Sequence, residues 1–80
     1  MNRKQLYVEL ETTKNQIKRG GCTLSEGAER MIRFVEEYKE SKIREIDNPH
    51  GDYDKDYNDV LDSTISIYRR VFLDLAALTR

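Results

Sequence analysis

The acidic residues are the first place to look for chemistry in this chain. Asp52-x-Asp54-x-Asp56 has the spacing with which a calcium-binding loop begins. Such a loop needs glycine at its sixth position and a bidentate glutamate at its twelfth, and here these are Tyr57 and Ser63. The aspartates are instead what the first turn of a helix favours, where its dipole stabilises negative charge. His50 and Cys22 lie far apart in sequence and form no nucleophile–base pair that spacing can place. Lys18-Arg19-Gly20-Gly21 offers basic groups and flexible backbone beside a helix start, so it is a candidate cradle for a small anion. It lacks the GK[ST] ending of a phosphate loop and the GxGxxG of a dinucleotide site. A helix end with cations favouring its dipole, followed by a tight turn, explains the same residues.

Two further acidic groups are more specific. Glu36-Glu37-Tyr38-Lys39-Glu40 reads EExxE, and Asp56-Tyr57-Asn58-Asp59-Val60-Leu61 reads DxxDVL. Together they resemble the EExxE and ExxD motifs of the all-α, MazG-like nucleoside triphosphate pyrophosphohydrolases. That resemblance covers the stretch from Glu36 to Leu61. It implies a magnesium ion held between antiparallel helices by Glu36, Glu37, Glu40 and Asp59, with Asp56 standing where the family has glutamate. Helical geometry weighs against it. At about 100° per residue, Glu37 and Glu40 point roughly 160° and 140° from their helix's apolar stripe, and Asp59 about 170° from its own. Ligands meeting between two helices should flank the seam, and these face solvent. Pairs such as Glu26–Arg30 and Glu40–Arg44 suit a solvated face.

Aromatic residues are the remaining signal. Tyr68 and Phe72 fall at the centre of an apolar stripe and are expected in the core. Phe34 lies about 100° off its stripe, and Tyr53 and Tyr57 bracket the acidic turn. Aromatics with one wet end suit interfaces. Tyr53, Asp54, Asp56, Tyr57 and Phe34 are therefore the candidate partner-binding residues.

Three elements must position these groups. Leu6, Leu10, Thr13 and Ile17 line one face of a helix over about residues 2–19, stopped by Gly20-Gly21. Leu6, Val8, Leu10 and Thr12 also alternate as a strand would, but Ile17 keeps helical register. A second helix, about 24–47, opens on Thr23-Leu24-Ser25-Glu26, a capping-box pattern, and carries Leu24, Ala28, Met31, Ile32, Val35, Ile43 and Ile46. Asn48-Pro49-His50-Gly51 breaks it. A third helix, about 53–79, has no internal Gly or Pro and is roughly 40 Å long. The fold expected is all-α: a short N-terminal helix and a long antiparallel helical hairpin in one domain, residues 1–80. The third helix is apolar over about half its circumference. Val60, Ile67, Val71 and Leu78 extend one flank; Leu61, Ile65, Phe72 and Ala76 extend the other. One partner helix cannot cover both.

Composition bounds the function. At 80 residues, 38% hydrophobic and 36% charged, the chain has a small core and would be marginal alone. A homodimer or higher oligomer is expected. The net charge of −1 excludes a generally basic nucleic-acid binder and an acidic DNA mimic. A helix-turn-helix is also disfavoured, because Asp52, Asp54, Asp56 and Asp59 would repel phosphates; no direct DNA binding is expected. One cysteine fits a reducing compartment, and neither a membrane span nor a signal-peptide core is present in the sequence. The expectation is a cytoplasmic, non-catalytic protein without a cofactor. It would act on a protein partner bearing a basic patch, as regulators and inhibitors of the phage and mobile-element accessory type do. The alternatives are the magnesium-dependent pyrophosphohydrolase and a small anionic-ligand binder.

Overall fold

A computed structural model describes residues 2–46 and 53–79, with only the backbone described at Tyr53 and Asp54. Expectations for Asp47, Asn48, Pro49, His50, Gly51 and Asp52 lie outside the described residues. The elements are helices α1 (Arg3–Lys18), α2 (Leu24–Arg44) and α3 (Tyr53–Leu78). The all-α expectation holds, with boundaries two or three residues tighter at most.

Local chemistry accounts for each end. Asn2 caps α1: its side chain accepts from the Gln5 N–H at 2.8 Å, and Gln5 returns a bond from the Asn2 N–H at 3.0 Å. At the other end Gly20 adopts φ 78°, a left-handed conformation costly for any residue with a Cβ. This lets Gly20 N–H reach the Ile17 carbonyl and Gly21 N–H the Gln16 carbonyl, closing the helix with two reversed bonds. Thr23 caps α2 by accepting from the Glu26 N–H at 3.1 Å, the Thr23 half of the expected capping box.

The helices form an elongated body of 49 × 19 × 18 Å. At about 1.5 Å per residue, α3 is roughly 39 Å long and α1 only about 24 Å. Side-chain pairs show where α1 lies. Tyr7 meets Arg70 and Lys14 meets Asp74, while Gln16 meets Arg30 and Ile17 meets Gly27. Thus α1 covers the half of the hairpin made by the start of α2 and the end of α3. The other half is a bare two-helix arm.

Leu6, Leu10, Met31, Val35, Tyr38, Ile67 and Val71 form the core, where all three helices meet. Buried Thr13 and Thr64 cause no loss, since each hydroxyl donates to the carbonyl four residues earlier, Glu9 and Val60. Two sequence expectations are corrected here. On α2 the buried stripe is Gly27, Met31, Val35 and Tyr38, while Leu24 and Ile32 border solvent. On α3 the core is Ile67 and Val71, not Phe72, which is 56% exposed. The reason is geometric. An apolar arc half a circumference wide has no unique centre, and α1 docks on only one of its flanks.

Candidate functional site

The four carboxylates of the metal-site expectation do not converge. Glu36 is turned toward α3, where it accepts from the Tyr68 hydroxyl, and it also pairs with Lys39 at 2.7 Å. Glu37 and Glu40 are exposed, and Glu40 pairs with Arg44 at 3.8 Å. Asp59 lines a separate open groove of about 360 Å³ with Asp56, Lys42, Glu45, Ile46 and Val60. Among the described residues, no three acidic, histidine or cysteine side chains come together as metal ligands. The other surface pair anticipated, Glu26–Arg30, is replaced by an Arg30 bond to Gln16 at 3.2 Å.

Glu36 and Tyr68 instead form a polar clasp between α2 and α3. Lys39 first, and then the Tyr68 hydroxyl, hold the Glu36 carboxyl below its usual range. Burial, reinforced by the Glu36 carboxylate, pushes the Tyr68 phenol well above its usual range, and Glu36 raises Lys39 likewise. The signs give a two-sided pH profile. The lowered carboxyl stabilises the fold above its unfolded value and loses that contribution as acid protonates it. The raised phenol and ammonium stabilise below their unfolded values and lose that as base rises. The clasp's contribution to the melting temperature should therefore be constant from about pH 5.5 to 9.5 and decline on both sides. Glu36→Gln should flatten the acid limb and Tyr68→Phe the alkaline one. Unchanged limbs in both variants would show that the clasp adds nothing to stability.

At the acidic end, Asp56 and Tyr57 are half-buried at the start of α3. Tyr53 and Asp54 share that first turn in backbone terms. Lys42 is spent on Glu45 at 3.2 Å and on the face of Tyr38. Among the described residues, Asp56 and Asp59 consequently have no ion-pair partner, and the arm keeps its negative field. Phe34 does not belong with them. It is half-buried against the core cluster, away from the acidic turn.

The anion-cradle expectation meets a physical obstacle. The N–H groups of Gly20 and Gly21 already donate to Ile17 and Gln16, so they cannot also converge on a ligand. Lys18 and Arg19 are exposed beside them. Cys22 is a free thiol, half-buried near Gly27.

One feature had no signal in sequence spacing. Arg3 and Arg70 both lie over the Tyr7 ring, at 5.9 and 4.9 Å from its centroid, beside Lys4 and Val8. Arg70 is 63 positions from Tyr7, so only docking of α1 on α3 brings them together. This shallow groove, about 580 Å³, fixes the entry end of α1.

Comparison with protein-family models, curated proteins and solved structures finds no match to the chain. The likeness to pyrophosphohydrolases thus rests on its two short acidic motifs. No described helix is long and apolar enough to cross a membrane.

Proposed function

We propose that this chain is a small helical interaction module that works by occupying the surface of a protein partner, as a regulator or inhibitor does. The observation carrying this reading is the bare arm. Its α3 strand of the hairpin starts with Asp54, Asp56, Asp59 and Asp62 against a single Lys55, and α1 does not reach it. The Asp56 and Asp59 carboxylates, without an ion-pair partner among the described residues, would steer a basic patch, and Tyr57 would supply contact area at low entropic cost.

The test begins with affinity capture from the native host and continues with titration of the purified partner. Tyr57→Ala combined with Asp54→Asn and Asp56→Asn should weaken binding by about tenfold, roughly 1.4 kcal/mol, and reduce its salt dependence. Helicity and melting temperature should hold. Unchanged affinity and salt dependence would reduce these aspartates to a helix start.

A further inference from the structure

The flank of α3 turned away from α1 carries an apolar seam that this chain covers only in part: Tyr68 and Leu75 are half-buried against the core, while Ile65 and Phe72 are exposed. Leu61, Ile65, Tyr68, Phe72 and Leu75 recur at 4-3-4-3 spacing, the repeat with which two helices pack along a shared stripe. Ile65 is 51% exposed although it is apolar. Tyr68 and Phe72 are already stacked, with ring centroids 6.0 Å apart and planes 17° apart, so the surface is ordered before anything covers it. The clasp to Glu36 satisfies the Tyr68 hydroxyl within the chain, leaving its ring as contact area.

The two margins of the seam differ. Thr64 and Val71 border it on the inner side and are buried in this chain's own core. Asp62 and Arg69 border it on the outer side, both exposed, and neither has an ion-pair partner among the described residues. When two helices pack antiparallel along such a repeat, outer margin meets outer margin. Aligning Leu61 with Phe72 of a second copy, and Ile65 with its Tyr68, places Asp62 beside the second copy's Arg69. The two-fold axis repeats that ion pair once. A parallel arrangement would set outer margin against inner margin, where Thr64 and Val71 are buried, and would give Asp62 and Arg69 no charged partner in each other. The charges select one orientation.

We infer that the chain forms a two-fold dimer through antiparallel packing of α3 on α3, with Leu61, Ile65, Tyr68 and Phe72 as the seam and two Asp62–Arg69 pairs fixing its register. Ile32, 39% exposed and one turn before Glu36 on α2, would extend the contact. The inference is independent of any heterologous partner. Its test needs only the chain itself.

Sedimentation equilibrium of the full chain at rising concentration should give a mass twice 9.5 kDa. Ile65→Asp should weaken dimerisation by about 100-fold while the monomer keeps its helicity, because Ile65 is outside the core. Arg69→Glu and Asp62→Arg should each weaken it by about tenfold, and the double reversal should restore it to within about threefold. A monomer at every concentration would overturn the inference, as would a dimer indifferent to Ile65→Asp. A double reversal no tighter than the single ones would overturn the antiparallel register.

Discussion

Leu6→Ala is expected to remove about 3 kcal/mol of stability, within the range for deleting a fully buried leucine. Leu6 is 0% exposed and is the only fully buried side chain that α1 contributes to the core. Its truncation leaves a cavity in the cluster that it shares with Met31, Val35, Ile67 and Val71, side chains held on the two other helices. Those helices are themselves paired by the Glu36–Tyr68 clasp and cannot collapse freely into the gap. A domain of this length has a total stability on the order of 4–12 kcal/mol, so the loss takes a large share. The melting temperature should fall by roughly 15 °C. Circular dichroism measures that fall, and hydrogen exchange should show α1 amides losing protection before those of α2 and α3. A cost below about 1 kcal/mol would mean that the hairpin stands without α1.

Gly27→Leu should be comparably damaging, for the opposite reason. A Cβ at Gly27 would lie 2.3 Å from Ile17 Cδ1 and 2.5 Å from Cγ1, so α1 and α2 meet here with no room for a side chain. Glycine within a helix costs about 1 kcal/mol relative to alanine, and that cost is the condition of the close approach. For Gly27→Ala the helix gain and the overlap nearly offset each other. For leucine the overlap dominates, costing about 3 kcal/mol, because α1 must lift or Ile17 must leave its rotamer. Combining Gly27→Leu with Ile17→Ala should recover at least half of the loss, a coupling that a thermodynamic cycle measures. If the two changes simply add, the crowding at Gly27 is relieved elsewhere and this account of the α1–α2 contact fails.

Both effects depend on a placement of α1 that the residues disclose only in part. Helix type and extent are local properties. Asn2, Thr23 and the Gly20-Gly21 pair supply caps through bonds spanning five residues or fewer, so each acts before any tertiary contact forms. The period of Leu6, Leu10 and Thr13 likewise marks the buried face of α1 correctly. Rotation of α3 is another matter. Val71 and Phe72 are adjacent in sequence and both apolar, yet one is 1% and the other 56% exposed. A half-circumference arc permits either choice, and the decision falls to the helices that dock against it. The same applies to polar residues. Spacing sets Glu36 about 100° around the helix from solvent-facing Glu37, but only the docking of α3 gives Glu36 its partner Tyr68, 32 positions away. Phe34 is drawn against the core for the same reason, since α1 packs on the side of α2 that carries it. By itself the sequence determined three helices, their ends and the surplus of apolar surface, because hydrogen bonding and period act over a few residues. Only the tertiary structure decided which flank α1 covers, and therefore which side chains remain on the surface, because that depends on contacts between residues far apart in the chain.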